Sequence, residues 1–164
     1  MTLRRQNSNH RRAAVTVEFI IGLPIFLIFL SAIVEFGLVQ ANSQQVAIAS
    51  RIGARLAAET AGLNPGNTAA TAASIRTEID RQLESAKFGA NASAGVTLRH
   101  NVSGGGVATD GTCNDPITPA LPPNTVRVTV CVPMSALTPN LLNVFGFSTT
   151  GKTVEVTTTY AYEL

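Results

Sequence analysis

Between Glu18 and Glu35 lie sixteen consecutive residues, 19–34, without one charged side chain. Counting on through Leu38 gives about 20 residues from Phe19, enough at about 1.5 Å each to cross a hydrocarbon layer of about 30 Å. The run AAVTVEFIIGLPIFLIFLSAIVEFGLV over 13–39 therefore predicts a transmembrane helix over 14–39. Gly22 and Pro24 do not end it, because spanning helices accept both when neighbouring groups re-satisfy the freed backbone. Arg4, Arg5, Arg11 and Arg12 precede the run, whereas from Ala41 onward eight basic and eight acidic side chains balance. Such asymmetry keeps a basic leader, 1–13, in the cytoplasm and sends 40–164 across the membrane. The rival is a secretory signal cleaved after Ala41, for which Val39-Gln40-Ala41 supplies the spaced small residues. Against it, the apolar region exceeds the usual span of about 7–15 residues and Glu35 falls where cleavage would occur.

Two acids border the span, and an acid at a helix centre costs on the order of 2.5–3.5 kcal/mol. Glu35 stands near the outer end and reads as a snorkelling side chain that reaches the headgroups. Glu18, six residues after the last Arg of the leader, reads either as an interfacial acid paired with Arg11 or Arg12 or as a functional carboxylate.

Beyond the membrane, residues 40–60 continue as an Ala-rich helix with Val46, Ala49, Ile52 and Leu56 at helical spacing, a stripe expected to pack on the protein's own sheet. Gly62, Asn64, Pro65, Gly66 and Asn67 stop it. A second amphipathic helix over 68–87 carries Ile75, Ile79, Leu83 and Ala86 on one face and is capped near Asn67 or Thr68. From Ser93 the period changes to two. Val96, Leu98, His100 and Val102 alternate with polar residues, as do Val126, Val128, Val130 and Val132, and then Val154, Val156 and Thr158, which predicts three strands. Gly104-Gly105-Gly106 and the Pro-rich 116–123 read as surface loops, since no helix follows to supply a phosphate cradle. Cys113 and Cys131 are the only cysteines. In an exported domain they are expected to form a disulfide, closing a loop of about 17 residues worth about 3 kcal/mol.

With 164 residues, 45% of them apolar and only 13% charged, the chain has room for one modest core. Basic residues gathered in a tail, and not spread over a folded face, argue against nucleic acid as a partner. There is no nucleophile elbow, no paired His and Cys and no acidic cluster of metal-ligand spacing, so neither an enzyme nor a cofactor, metal or small-molecule substrate is expected. His10 and His100 read as bystanders, Asp110 and Asp115 as turn formers beside Cys113, and the Asn91 and Asn101 glycosylation triplets as chance.

Arg11-Arg12-Ala13-Ala14-Val15-Thr16-Val17-Glu18-Phe19, followed by a Leu-Pro-containing apolar helix, resembles the N-terminus of TadE-like proteins of tight-adherence (Tad) pilus systems. Glu35-Phe36-Gly37 and then Ala49-Ser50-Arg51-Ile52-Gly53-Ala54-Arg55-Leu56-Ala57-Ala58 look like the same family's continuation, so that the resemblance covers about 11–59. It implies a prepilin peptidase cutting between Ala13 and Ala14 on the cytoplasmic side, with Glu18 fifth and Phe19 sixth in the mature chain and both serving assembly. The family usually carries Gly where Ala13 stands. It further implies a bacterial inner-membrane location, a periplasmic domain and other pilus or pseudopilin subunits as partners. The expected fold is α+β and pilin-like: a long N-terminal transmembrane helix, a second helix and a short antiparallel sheet. The expected function is that of a minor pseudopilin or assembly component, with a membrane-anchored periplasmic binding module or a protein secreted after Ala41 as alternatives.

Overall fold

The computed structural model describes residues 8–86, 93–114 and 120–162, with side chains from residue 15 onward. The apolar run and the Ala-rich segment after it form one uninterrupted helix, α1 (Ser8–Glu59), with Pro24 inside. At about 1.5 Å per residue its 52 residues reach about 78 Å. Its two halves live in different surroundings. Fifteen large apolar side chains between Val15 and Leu38 are exposed, and none of the most apolar 18-residue stretch is buried against the rest of the chain. That surface distinguishes α1 from the core helix of a soluble domain, whose apolar face is covered.

The second half of α1 carries a small domain. After α2 (Thr68–Ser85) come β1 (Gly95–His100), β2 (Gly106–Asp110), β3 (Thr125–Pro133), a one-turn helix α3 (Met134–Leu137), a 3₁₀ turn (Leu141–Phe145) and β4 (Thr153–Ala161). The four strands form one sheet in the order β2-β1-β3-β4, and every neighbouring pair is antiparallel. α1 packs on β3 and β4, α2 on β1 and β2, and the two helices touch each other. Alternation decides which face meets the helices: Val96, Leu98, Val126, Val128, Val130 and Val132 join Ile75, Ile79 and Leu83 of α2 in the core. On the opposite face, hydroxyl pairs lock neighbouring strands, Thr97 with Thr109 at 3.0 Å and Thr129 with Thr157 at 3.1 Å.

The α+β architecture, the second helix and its buried face follow the expectation, and the three strands are present with somewhat shifted ends. Four details differ. Val46, Ala49, Ser50, Gly53, Ala54, Ala57 and Ala58 form the buried stripe of α1, whereas Ile52 is half-buried and Leu56 exposed. Small residues win because they let the helix approach the sheet closely: a Cβ on Gly53 would stand 2.9 Å from Ile79 Cδ1 and 3.3 Å from Val128 Cγ1. A fourth strand, β2, occupies ground read as loop and takes in Gly106; it is short, and among the described residues β1 supplies its only pairing. Asn67 takes the N-cap position of α2 without capping it. Its side chain turns back instead, and Oδ1 accepts the Asn64 N–H at 2.9 Å. Val102 lies past the end of β1, in the turn closed by the Gly105 N–H and its own carbonyl at 2.9 Å. Lys87, the expected end of α2, lies outside the described residues.

His100 is no bystander in this core. Its ring is buried, with Nδ1 3.2 Å from the Val102 carbonyl and Nε2 2.8 Å from the Thr68 hydroxyl, which itself lies 2.8 Å from the Asn64 carbonyl. The contact ties β1 to the start of α2 and explains Gly106, where a Cβ would fall 2.6 Å from both His100 Nε2 and Thr68 Oγ1. Burial lowers the His100 pKa below its ordinary value, opposed in part by the Val102 carbonyl. The folded state thus holds the ring neutral where the unfolded chain would protonate it, so stability is full above about pH 6.5 and falls as the pH drops below it. Thermal unfolding between pH 7.5 and 5 should show a falling midpoint that His100→Gln flattens. A second measurement concerns the helix–sheet approach: Gly53→Val should lower stability by about 1–3 kcal/mol through overpacking, seen as a lower unfolding midpoint of the detergent-solubilised protein.

Candidate assembly and membrane-facing site

Chemistry-bearing groups gather at two levels of α1. Near its start, Glu18 and Phe19 are both exposed. Val15, Glu18, Phe19, Gly22, Leu23 and Phe26 line a shallow groove along the helix surface, and the missing side chain at Gly22, with nothing within 4 Å of a Cβ there, makes the notch between Phe19, Leu23 and Phe26. Residues one turn apart share a helix face, so the carboxylate stands at the rim of a shallow apolar depression. Ala13 and Ala14 fall within the helical backbone of α1, and their side chains lie outside the described residues, as do those of Arg11 and Arg12.

Seventeen residues further on, Glu35 corrects its expected role. It does not snorkel toward headgroups: the residue is 3% exposed, and its Oε2 accepts the backbone N–H of Leu142 at 3.0 Å. Oε1 is also buried and has no hydrogen-bond partner among the described residues. The cover is the segment between β3 and β4, which comes down along α1. Asn42 Nδ2 donates to the carbonyl of Leu137, and the 3₁₀ turn then packs on α1. Gly146, at φ 85°, ends that turn in the left-handed conformation that glycine tolerates, and the Phe147 N–H returns to the Leu142 carbonyl at 3.2 Å. The way back is tied by Asn140 Nδ2 to Ser148 Oγ at 3.3 Å and by the Met134 N–H to the Lys152 carbonyl at 2.8 Å.

At the far side of the sheet Cys113 and Cys131 form the expected disulfide, with Cα atoms 5.3 Å apart. It pins the chain leaving β2 to the outer face of β3, over the region where Thr97, Arg127 and Thr129 are buried. Asp110 is not a turn residue but the last residue of β2, and its Oδ1 accepts from Arg76 Nη1 of α2 at 2.7 Å. Asp115 lies outside the described residues. Among the described residues no group of three His, Cys, Asp or Glu side chains is placed to hold a metal ion.

The model of the TadE-like protein family matches residues 13–55, about a quarter of the 164-residue chain. That segment contains Glu18, Phe19, Glu35 and the first part of the buried stripe, the same stretch on which the resemblance rests. No curated protein and no solved structure matches the chain.

If Glu35 positions the loop as an acceptor, Glu35→Ala leaves the part-buried Leu142 N–H unsatisfied, a cost of about 1–3 kcal/mol. Amide exchange at Leu142 should then speed up by about tenfold or more, while Glu35→Gln, which keeps a carbonyl oxygen, should preserve most of the protection.

Proposed function

We propose that the chain is a minor pseudopilin or assembly component of a Tad-type pilus. It is anchored in the inner membrane by the first half of α1, with its N-terminus cytoplasmic and its α+β domain periplasmic, and it acts through assembly, not catalysis. The observation that carries this is the exposed apolar half of α1 with Glu18 near its start, inside the segment that the TadE-like family model matches. Burying a large apolar side chain is worth about 1.5–3 kcal/mol. Fifteen exposed ones therefore favour lipid by tens of kcal/mol, far more than the few kcal/mol that one acid costs there. The anchor tolerates Glu18 easily.

Cleavage between Ala13 and Ala14 would create an amine four residues from Glu18. In a bundle of such helices that cation pairs with the carboxylate of a neighbouring subunit. Each charge alone is penalised in a poor dielectric, so the pair favours insertion of the two helices side by side in one axial register. The notch at Gly22, just past Glu18, gives a neighbouring helix room to approach.

Two measurements test this. Mass spectrometry of the mature protein should find Ala14 at the N-terminus; Asn42 there would mean a secreted protein instead. Glu18→Ala should insert and export normally but fail to assemble or to support pili, with Glu18→Asp recovering part of the function. Normal piliation with Glu18→Ala rejects the assembly role and leaves a membrane-anchored binding module.

A further inference from the structure

We propose that the loop between β3 and β4, residues 134–152, is a membrane foot: its tip seats in the interfacial layer of the bilayer's outer leaflet and fixes the domain against the lipid surface. The proposal rests on the reading of α1 as a membrane span and adds a second point of contact to it.

Depth comes first. Val15 to Glu35 is twenty residues, a rise of about 30 Å, which matches the hydrocarbon layer. With Val15 at the inner boundary, Glu35 stands at the outer one. The hydrogen bond from the Leu142 N–H to Glu35 holds the loop at that depth, while the bond from Asn42 to the Leu137 carbonyl holds its beginning seven residues higher, about 10 Å further from the lipid. The chain therefore descends along α1 from Leu137 to Leu142, turns through residues 141–147 and climbs back, so its tip is the part of the domain nearest the span.

Chemistry comes second. From residue 134 to 151 there is no ionisable side chain. Val144 is 85% exposed and Phe147 63%, with Leu141 and Phe145 also exposed. At the same level α1 presents Phe36, 71% exposed, and Ile33. A soluble face would not gather such side chains at one level, whereas an interfacial one needs apolar groups below and polar ones above. Ser148, Thr149, Thr150 and Lys152 supply that polar return. Because the tip is apolar and uncharged, the partner is the lipid layer itself and not a particular anionic headgroup. Glu35 then has a positioning role, holding the foot at the boundary from the buried side.

The chain contains no Trp, so single Trp substitutions report depth directly. The full chain is reconstituted in phosphatidylcholine vesicles whose acyl chains carry bromine, a quencher of indole emission. Val144→Trp and Phe147→Trp should emit to the blue and lose most of their intensity, as should Phe26→Trp within the span. Val107→Trp, on β2 at the edge of the sheet, should stay red and unquenched. Quenching at 26 with none at 144 and 147 overturns the foot and leaves the span standing, with an aqueous or protein environment for the loop. Absence of quenching at all three overturns the span and the foot together.

Discussion

The approach of α1 to the sheet, made possible by residues with little or no side chain, is the contact on which the rest of the molecule depends. Ser50, fully buried on the helix, brings its hydroxyl within 2.8 Å of Thr158 Oγ1 and 3.3–3.4 Å of the carbonyls of Val156 and Val128, a distance no larger residue there would allow. Gly53 and Ala57 continue the same face. Tyr162 closes the far end, its hydroxyl donating to the Thr60 carbonyl at 2.7 Å and accepting the Leu63 N–H at 3.3 Å. The domain is thereby welded to the rod over several turns. The second half of α1 is thus an integral part of the domain's core.

From that weld follows the difference between the two acids of the span. Glu35 is engaged within its own chain: its Oε2 accepts a backbone N–H 107 residues away, while Oε1 has no hydrogen-bond partner among the described residues. Glu18 projects from the exposed part of the helix, where no strand or loop among the described residues is packed. A carboxylate engaged by its own chain has a structural task, whereas the assembly role proposed for Glu18 calls for a cation brought by another chain. Two carboxylates placed symmetrically about the apolar stretch thus end in opposite situations.

The long apolar helix, α2 and three of the strands were legible because each follows from a local period: an uncharged run, apolar residues three and four apart, and strict alternation of β-branched residues. Glu18 and Phe19 were singled out by their place in a motif, and the structure leaves both exposed on α1. What escaped depends on distant partners. Strand β2, with Val107 its one β-branched apolar residue, exists because β1 offers it an edge. The buried stripe of α1 shifted from Ile52 and Leu56 to Gly53 and Ala57 because closeness to the sheet, and not hydrophobicity, chose the face. Glu35 was visible as an acid, but its partner came from a segment whose short helical turns leave no periodic trace. The one available signal was Leu141-Leu142-Asn143-Val144-Phe145-Gly146-Phe147, an apolar run too long for a surface loop and too irregular for a strand.

That run also resolves an apparent conflict of design. A loop closed at its base by backbone bonds and held at its middle by Glu35 is ordered, yet its largest side chains face outward. In water this arrangement would be unfavourable twice over, in the entropy of ordering the segment and in the apolar surface it presents. Both penalties diminish when the outward surface meets lipid, because the ordering then serves to hold apolar groups at one depth. The same logic governs the first half of α1, which is helical and apolar on all sides. Ordered backbone with outward apolar side chains is what the proposed lipid contact requires, and the loop shares that feature with the first half of α1 beside which it ends.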